Sequence, residues 1–336
     1  MPSVAVVMAT FNGEEWIEAQ LRSISSQTRL PERLIISDDG STDGTVAVVR
    51  EFARDAPFDV MLVDGPHAGP DLNFWSAAQH ANTEVIAWCD QDDVWHPKKL
   101  QICERQMAMH NVQFISHSAV VADATLAPTG QLYPNYTRTR VLEPLVGDWL
   151  WCAPGFTQYF RSELLTMARW EKRPDPDDPR GPGFDGVISL LAFTSCRRLE
   201  LSDVLVSYRQ HETNLAGPAR TYSVPEKVKA ALSIEPTAYA RRAALAESYG
   251  SFVAVSDPHN IRAIEYFSEV KARCLRRASV HQSSDRLSAS RKLFSQLVSG
   301  DFCRKSRGGF GALGLCRDAI ALGLGEARTR RATTKP

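Results

Sequence analysis

Four short apolar runs, each followed by a polar turn, are the feature that most constrains how this chain can fold. They occupy residues 4–9, 34–36, 60–63 and 85–89. A continuous apolar run of this kind indicates a strand that is buried on both faces. Strands that alternate with helices over short connections form a parallel sheet with right-handed crossovers. The sequence therefore predicts an α/β fold with a mostly parallel sheet flanked by helices.

Helical patterns separate these runs. The first helix should contain three apolar residues spaced i, i+4 and i+7: Ile17, Leu21 and Ile24. Asn12 and Asp43 precede the first and second helices, and both residue types favour the N-cap position. A shorter helix is predicted around residues 72–81, and another should begin at residues 98–100, directly after Pro97.

Acidic residues follow two of the predicted strands at the point where each strand ends. The second run leads into Asp38 and Asp39, and the fourth leads into Asp90, Asp92 and Asp93. Open α/β sheets bind ligands at the carboxyl ends of their strands. If extended geometry persists to Asp92, the side chains of Asp90 and Asp92 lie on the same side of the chain.

Two interpretations account for these acidic clusters. In the first they are polar turns, and Asp93 is the N-cap of the next helix. In the second they bind a nucleotide, with one carboxylate on the base or ribose and the other cluster holding a divalent cation on the diphosphate. The second is favoured because it explains why both strand ends are acidic.

Charge is distributed unevenly along a chain whose net charge is zero. Residues 1–261 contain 23 Lys and Arg against 33 Asp and Glu, whereas residues 262–336 contain 16 against 6. A basic tail of this kind suggests an anionic partner. The 7 cysteines form no Cys-x-x-Cys pair, which indicates neither a zinc site nor a disulfide framework and fits a reducing compartment. No signal peptide and no membrane-spanning helix are expected.

Four sequence blocks resemble the signature blocks of the family 2 glycosyltransferases, in the same order and with similar spacing. They are Ala-Thr-Phe-Asn-Gly at 9–13, Ser-Ser-Gln-Thr at 25–28, Ile-Ser-Asp-Asp-Gly-Ser-Thr-Asp-Gly-Thr at 36–45 and Asp-Gln-Asp-Asp-Val-Trp at 90–95. The last block is most similar to the rhamnosyltransferase-like branch. The resemblance covers residues 3–110 and implies a GT-A, Rossmann-like fold, a nucleotide-sugar donor, a divalent cation (Mg²⁺ or Mn²⁺) and inversion at the anomeric carbon.

The resemblance also implies roles for individual residues. Asp39 would contact the nucleoside base. Asp90 would lie near the ribose and the metal, and Asp92 would ligate the metal. Thr10 and Asn12 fall in the first block and are assigned to the nucleotide-sugar site.

Asp185 is the candidate general base. It precedes an apolar helical pattern at residues 187–193 and follows residues 171–183, whose prolines and glycines indicate a loop, here placed over the acceptor cleft. An inverting transfer needs a carboxylate to take the proton of the acceptor hydroxyl, and the family has an Asp at this position. An Asp at a helix start is also commonly an N-cap, which is the alternative. Gly186 departs from the aromatic residue found in many relatives.

The segment Tyr-Arg-Gln-His-Glu-Thr-Asn at 208–214 resembles a block that closes the family's catalytic domain. His211 can complete the coordination of a divalent metal, and Arg209 can neutralise diphosphate charge. A polar loop after a strand is the alternative interpretation. His117, in a strand predicted at 114–118, is expected to be a core or turn histidine rather than a ligand.

Two domains are predicted: a GT-A catalytic domain at 1–216 and a helical, basic C-terminal region at 217–336. Basic and apolar residues alternate in the second, which fits either a solvated basic face or attraction to anionic lipid. Gly-x-Gly-x-x-Gly at 309–314 follows no predicted strand, so it is not interpreted as a nucleotide-binding loop. No nucleic-acid recognition module is evident.

The sequence thus predicts an inverting, metal-dependent glycosyltransferase. The resemblance to the rhamnosyltransferase-like branch implies a nucleotide-activated deoxyhexose such as dTDP-rhamnose as the donor. The expected acceptor is a cell-surface glycan, including one on a lipid carrier. A UDP-hexose or UDP-N-acetylhexosamine transferase is the alternative enzyme, and a non-catalytic nucleotide-binding module is the alternative from another class. The expected location is cytoplasmic, with peripheral contact at the inner face of an anionic membrane and no nucleic-acid partner.

Overall fold

The computed structural model describes residues 2–174, 182–212, 214, 237–281, 283 and 286–299. The chain forms two compact units. The first comprises residues 1–144 and 151–219, and the second comprises residues 145–150 and 220–336. The domain boundary predicted between residues 216 and 217 lies outside the described residues and stays a prediction.

Four parallel strands form one side of the sheet in the first unit. They are β1 (Val4–Thr10), β2 (Arg33–Asp38), β3 (Asp59–Asp64) and β4 (Val85–Cys89). Their spatial order is β3-β2-β1-β4, and each neighbouring pair is parallel. The prediction from the four apolar runs is confirmed. The strands β1 and β4 are almost completely buried, whereas the edge strand β3 is half-buried.

Three helices connect these strands: α1 (Ile17–Ser25), α2 (Thr45–Asp55) and α3 (Pro70–Ala78). The predicted apolar stripe of α1 is buried, because Ile17, Leu21 and Ile24 all pack in the core. The prediction that Asn12 caps α1 is wrong. The helix begins at Ile17 with Trp16 at the N-cap and no side-chain cap bond.

Asp43 lies one residue further from its helix than predicted. Gly44 occupies the N-cap position of α2. The Asp43 carboxylate nevertheless accepts a hydrogen bond from the backbone N–H of Thr45 at 3.0 Å, so it still satisfies a donor of the first helical turn.

The other side of the sheet is mixed. It contains β5 (Val94–Trp95), β6 (Phe114–Ala122), β7 (Pro128–Leu132), β8 (Arg140–Leu142), β9 (Gln158–Arg161) and β10 (Arg198–Arg209). β9 lies antiparallel between β4 and β6, and β10 is parallel to β6. β5 pairs antiparallel with β10 at the edge, which brings the chain after β4 next to the end of β10.

Three further helices complete the described part of the first unit: α4 (Lys99–His110), α5 (Glu163–Met167) and α6 (Phe184–Ser195). Helix α4 follows Pro97 as predicted. Helix α6 is apolar nearly all round and is buried along most of its length. Residues Gly155–Thr157 and Trp170–Lys172 form short 3-10 helices.

The second unit is helical in its described part. Its helices are α7 (Thr237–Ser256), α8 (Ile261–His281) and α9 (Arg286–Val298). Trp149 makes edge contacts with Tyr249 of α7 and Phe267 of α8, at ring-centroid distances of 5.8 and 5.9 Å. The described helices include none long and apolar enough to cross a membrane.

Candidate functional site

The Asp38 carboxylate is saturated by hydrogen bonds at the end of β2. It accepts bonds from the Thr10 hydroxyl at 2.8 Å, the Ser41 backbone N–H at 2.8 Å and the Ser41 hydroxyl at 2.6 Å. Asp38 is only 6% exposed. These bonds tie β1 to the loop after β2, so Asp38 is part of the scaffold of the site.

Asn12 holds the same loop from the other side. Its backbone is left-handed, with φ of 46°, which Asn tolerates better than most residues. Its side-chain oxygen accepts from the Thr42 N–H at 2.9 Å, and its own N–H donates to the Ser41 hydroxyl at 2.8 Å. The side chain is therefore engaged with a loop on β2 instead of with α1. The assignment of Thr10 and Asn12 to a nucleotide-sugar site stays a prediction.

Asp39 differs from its neighbour because only one of its carboxylate oxygens is used. Oδ2 accepts a hydrogen bond from the Gly69 N–H at 2.8 Å. Oδ1 is buried and has no hydrogen-bond partner within the part of the chain that the structure describes. A buried acceptor without a partner is costly, so this oxygen is suited to receive a donor from a ligand.

The second acidic cluster begins where β4 ends at Cys89. The chain bends at residues 91–92, so extended geometry does not persist to Asp92. The argument that placed Asp90 and Asp92 on the same side of an extended chain therefore does not apply. Burial, followed by the charges of Asp92 and Asp185, raises the pKa of Asp90 to about 8. Phe184, the first residue of α6, packs edge-on against Trp88 of β4 with ring centroids 5.2 Å apart, so the structure brings the end of β4 and the start of α6 together.

Asp93 is fully buried beneath this cluster. Its Oδ1 accepts a hydrogen bond from the Arg209 N–H at 3.0 Å, and α4 begins later, after Lys98 at the N-cap. The alternative in which Asp93 caps that helix is therefore wrong. Burial and the charges of Asp92 and Asp90 raise the pKa of Asp93 well above its ordinary value.

A buried cation accompanies the cluster. Lys99 is fully buried, its Nζ donates to the Phe156 carbonyl at 2.7 Å, and the ammonium lies 3.6 Å from the centre of the Trp95 ring. Burial lowers the pKa of Lys99 to about 8. Its charge in turn lowers the pKa of Asp90 and Asp93, which opposes the effect of their burial.

His211 lies directly against Asp92. The His211 Nε2 and the Asp92 Oδ2 are 3.0 Å apart, and the imidazole stacks on the Trp16 ring at 4.8 Å. Two ligands at about 2.1 Å from one octahedral cation, on adjacent vertices, would also be about 3.0 Å apart. The pair therefore fits two coordination positions of a divalent cation. Across the described ranges, no three His, Cys, Asp or Glu side chains converge to hold an ion by themselves.

Arg209 supports the loop that carries Asp92. Its Nε donates to the Asp92 carbonyl at 2.7 Å, Nη1 donates to the Ala124 carbonyl at 2.9 Å, and the guanidinium lies 4.8 Å from the Trp16 ring. Burial lowers the pKa of Arg209 from its high ordinary value, and a guanidinium stays charged in proteins. Two of its nitrogens are thus committed to backbone carbonyls, and its predicted contact with a diphosphate stays a prediction.

Asp185 lies in the first turn of α6. Its Oδ2 accepts from the Gly155 N–H at 3.2 Å, and its Oδ1 accepts from the Gly186 N–H at 2.7 Å. Burial, with a smaller contribution from the charge of Asp71, raises the pKa of Asp185 to about 6. A carboxylate with this pKa is ionised at neutral pH and is a stronger base than an exposed one.

The N-cap alternative for Asp185 is wrong, because the helix is capped from another element. Gly183 occupies the N-cap position without a side-chain bond. Asp71, in the first turn of α3, accepts a hydrogen bond from the Phe184 N–H at 3.1 Å. A Cβ on Gly183 would lie 2.4 Å from Asp71 Oδ1, so this contact requires glycine.

Sequence reasoning missed Asp71, Lys99 and Trp16 as parts of the site. No local pattern could have identified Asp71, because its partner Phe184 is 113 residues away in the chain. The one available signal was the position of Lys99, only a few residues after the acidic cluster.

His117 is a core histidine, as predicted. It is fully buried, its Nδ1 lies 2.9 Å from the Ser118 carbonyl oxygen, and burial lowers its pKa well below the ordinary value.

In the loop predicted at 171–183, residues 175–181 lie outside the described part of the chain. The same is true of residues 304–307 and 309–314 in the basic tail.

Comparison with known proteins matches residues 5–165 to the family model described as "Glycosyl transferase family 2". A dTDP-rhamnosyl transferase of Shigella flexneri is 32% identical over 118 residues, which are 34% of this chain and 41% of that protein. The chain thus spans less than half the length of this relative. An uncharacterized glycosyltransferase of Nostoc is 24% identical over 271 residues, covering 79% of this chain and 82% of that protein.

Solved structures show a similar fold. TarS 1-349 of S. aureus, in complex with UDP-GlcNAc, has a TM-score of 0.53 and 15% sequence identity. The similarity covers 90% of this chain and 93% of that chain. Residues 5–165 therefore match glycosyl transferase family 2, and the mostly parallel sheet with flanking helices is the GT-A fold.

Proposed function

We propose that this chain is an inverting, metal-dependent glycosyltransferase that moves a sugar from a nucleotide to an acceptor hydroxyl. One observation carries the proposal. Phe184, which begins α6 next to Asp185, packs edge-on against Trp88 of β4 with ring centroids 5.2 Å apart, so the candidate base and the acidic cluster after β4 belong to neighbouring elements. The family match of residues 5–165 supports the same chemistry.

The donor side uses the two strand-end clusters. The buried, unused oxygen of Asp39 is suited to accept a hydrogen bond from the nucleoside. A divalent cation held by Asp92 and His211, with Asp90 beside it, would offset the charge of the leaving diphosphate. Two protein ligands would leave further coordination positions of such a cation to oxygens of the substrate and water.

The acceptor side uses Asp185. Its carboxylate takes the proton of the acceptor hydroxyl while that oxygen forms a bond to the anomeric carbon. The bond from the anomeric carbon to the diphosphate oxygen breaks, and the diphosphate leaves with the bonding electron pair. A single displacement of this kind inverts the anomeric configuration. The hydrogen bonds from Gly155 and Gly186 orient the carboxylate.

The proposed donor is dTDP-rhamnose, because the Shigella relative is named a dTDP-rhamnosyl transferase. The proposed acceptor is a growing cell-surface glycan, including one on a lipid carrier. An Escherichia coli relative, named a UDP-Glc:alpha-D-GlcNAc-diphosphoundecaprenol beta-1,3-glucosyltransferase, is 30% identical over 113 residues. It supports a UDP-hexose or UDP-N-acetylhexosamine donor as the second candidate.

Thermal shift and donor hydrolysis with a panel of nucleotide sugars test the proposal. The panel contains dTDP-rhamnose, UDP-glucose and UDP-GlcNAc, each with Mg²⁺, with Mn²⁺ and with EDTA. We expect one donor to raise the melting temperature and to be hydrolysed slowly, only with a divalent ion. Binding of nucleotides without hydrolysis or transfer of any sugar would instead support a non-catalytic nucleotide-binding module.

We also propose peripheral contact of the second unit with anionic membrane. Three residues of α9 on one helical face are strongly exposed: Leu287 at 63%, Phe294 at 68% and Val298 at 73%. Arg291 lies on the same face, and Lys292 is adjacent. Apolar side chains flanked by basic residues are typical of helices that bind a membrane interface.

Vesicle co-sedimentation tests this contact. Full-length protein should bind phosphatidylserine vesicles at low salt and less strongly at 0.15 M salt, where charges are screened over about 8 Å. Phosphatidylcholine vesicles are the control. Failure to bind the anionic vesicles at low salt would contradict the contact without affecting the proposed transfer reaction.

A further inference from the structure

Trp151 presents an exposed ring that is fixed from behind. The residue is 44% exposed, yet its indole N–H donates a hydrogen bond to the Tyr136 hydroxyl at 3.3 Å. That hydroxyl lies 3.0 Å from the Ser116 hydroxyl, which lies 2.8 Å from the Thr157 hydroxyl in the core. A large aromatic ring that is both exposed and held in place is a preformed binding face.

The segment after Trp151 runs directly onto the start of α6. The Ala153 N–H donates to the Ser189 hydroxyl at 3.2 Å, and the Gly155 N–H donates to the Asp185 carboxylate at 3.2 Å. Gly155 lies four residues after Trp151, so the backbones of these two residues are at most about 14 Å apart. An acceptor of a few sugar units could therefore contact both Trp151 and the proposed base. Cys152, the next residue, packs against the same helix, because a Cβ on Gly186 would lie 3.6 Å from its Sγ.

The hydrogen bonds of Gln158 keep this segment and α6 in register. Its Nε2 donates to the Ala153 carbonyl at 2.6 Å and to the Asp185 carbonyl at 3.0 Å. The same amide is 3.1 Å from the Ser189 hydroxyl. One buried side chain thus joins the backbone two residues after Trp151 to the backbone of the proposed base.

The charges around Asp185 indicate which acceptor fits. Asp71 of α3 accepts a hydrogen bond from the Phe184 N–H at 3.1 Å, so a second carboxylate lies beside Asp185, and its charge contributes to the raised pKa of Asp185. A phosphate acceptor placed at this point would be repelled by the carboxylates of Asp185 and Asp71, whereas a neutral sugar hydroxyl would not.

We propose that Trp151, supported by Tyr136, forms an acceptor subsite that binds a pyranose ring by its apolar face and presents a neutral hydroxyl to Asp185. The subsite rests on the proposed function, since only a transferase needs an acceptor at this position. It specifies the acceptor as a sugar residue, not a prenyl phosphate. The flat indole contacts the C–H face of the ring and leaves its hydroxyl groups free.

Direct binding and kinetics test the subsite. The probes are methyl glycosides of glucose, N-acetylglucosamine, galactose, mannose and rhamnose, with geranylgeranyl phosphate as the competing acceptor class. Saturation-transfer NMR reports binding, and transfer assays give KM for acceptor and for donor. The variants are Trp151→Ala, Trp151→Phe and the control Met109→Ala, which truncates a side chain that is 57% exposed on α4.

Trp151→Ala should raise the acceptor KM on the order of 10-fold, the size expected for the loss of one stacked ring, and remove the saturation-transfer signal of the bound glycoside. Donor KM, donor hydrolysis and melting temperature should not change. Trp151→Phe should cause a smaller rise, because a flat ring remains, and Met109→Ala should behave like the parent protein.

An unchanged acceptor KM and NMR signal in Trp151→Ala would overturn the subsite. An equal loss of donor hydrolysis would do the same, because it would show a structural role, and so would transfer to geranylgeranyl phosphate in preference to every glycoside. If the parent protein hydrolyses and transfers no sugar but still binds a glycoside through Trp151, the proposed function fails, and Trp151 is a sugar-binding site but not an acceptor subsite.

Discussion

Asp38-Asp39 at the end of β2 and Asp90–Asp93 at the end of β4 are both acidic turns after buried strands, yet their surroundings differ. Asp38 accepts hydrogen bonds from the Thr10 and Ser41 side chains and from the Ser41 backbone. The pKa of Asp90 is instead raised to about 8 by burial and by the charges of the neighbouring carboxylates. One turn is therefore scaffold, and the other holds carboxyl groups whose ionised forms are destabilised by burial and mutual repulsion.

This difference shows what separates a structural acidic turn from a reactive one. The first is followed by Gly40-Ser41-Thr42, which supplies hydrogen-bond donors, and the second is followed by more carboxylates. Buried carboxylates that repel one another are costly unless a cation is added. The β4 cluster is thus the better candidate for a cation and a diphosphate, and the β2 turn is the better candidate for shaping the nucleoside site.

The largest expected effect comes from the residue that faces the β4 cluster. Asp185→Asn should lower the transfer rate by about 10²–10⁴, because Asn cannot take a proton. Metal-dependent donor binding should persist, because Asn keeps the shape of the side chain and its one oxygen can still accept one of the two hydrogen bonds from Gly155 and Gly186. Transfer rate and melting temperature are measured on the same preparation, with the exposed Asp203→Asn as the matched control. Near-normal transfer by Asp185→Asn would refute its role as base.

The pH dependence of the same residue gives the next effect. Since only the ionised carboxylate acts as base, kcat/KM should fall about tenfold per pH unit below the Asp185 pKa of about 6. An aspartate in the unfolded chain has a pKa of about 3.9, so the folded protein binds this proton more tightly. The contribution of the protonated Asp185 carboxyl to the free energy of unfolding is complete below pH 4 and is lost as the pH rises through 6. The melting temperature of the parent protein should therefore decline relative to Asp185→Asn over this range, and parallel melting curves would contradict the assignment.

Asp38→Ala tests the scaffold half of the comparison. Removing a buried carboxylate that accepts three hydrogen bonds should cost about 2–3 kcal/mol, seen as a fall of about 4–10 °C in melting temperature. Asp64→Ala is the matched control, because Asp64 pairs in register with Asp38 on β3 and its side chain is 89% exposed. Equal melting temperatures for the two variants would contradict the scaffold role.

Asn12→Gly should have the smallest effect. Glycine accepts the φ of 46° but loses the side-chain bond to the Thr42 N–H, so unfolding should become easier by about 1 kcal/mol. Metal-dependent binding of a nucleoside diphosphate should change little, as measured by calorimetry. A large loss of that binding with an unchanged melting temperature would assign Asn12 to the ligand instead of to the loop.

The sequence was sufficient for the strands β1–β4, because apolar runs that are bounded by polar turns and alternate with helical patterns indicate buried parallel strands. It was not sufficient for β9, whose four residues insert antiparallel between β4 and β6. A short strand of mixed composition carries little periodicity of its own, and its place is set by pairing with distant segments.

The candidate site was predictable where its residues follow one another in the chain. Asp90 and Asp92 belong to one block, and Asp185 opens a helix as expected. The neighbours that determine their chemistry come from far away: Arg209 reaches Asp93 across 116 residues, and Asp71 caps α6 across 113 residues. Local sequence patterns do not predict contacts between residues so far apart in the chain. The burial of Asp93 and the residue that caps α6 were therefore visible only in the structure.

Isothermal titration calorimetry of a nucleoside diphosphate tests the central claim, that the β4 cluster binds a metal diphosphate and the β2 turn does not. The titration is run with Mn²⁺ and with EDTA on the parent protein, Asp92→Asn and Asp38→Asn. The parent protein and Asp38→Asn should bind at least about 10-fold more tightly with Mn²⁺, the size expected when an ion joins ligand and protein. Asp92→Asn should bind equally in both conditions. Equal binding by the parent protein in Mn²⁺ and in EDTA, or an undiminished Mn²⁺ effect in Asp92→Asn, would contradict the account.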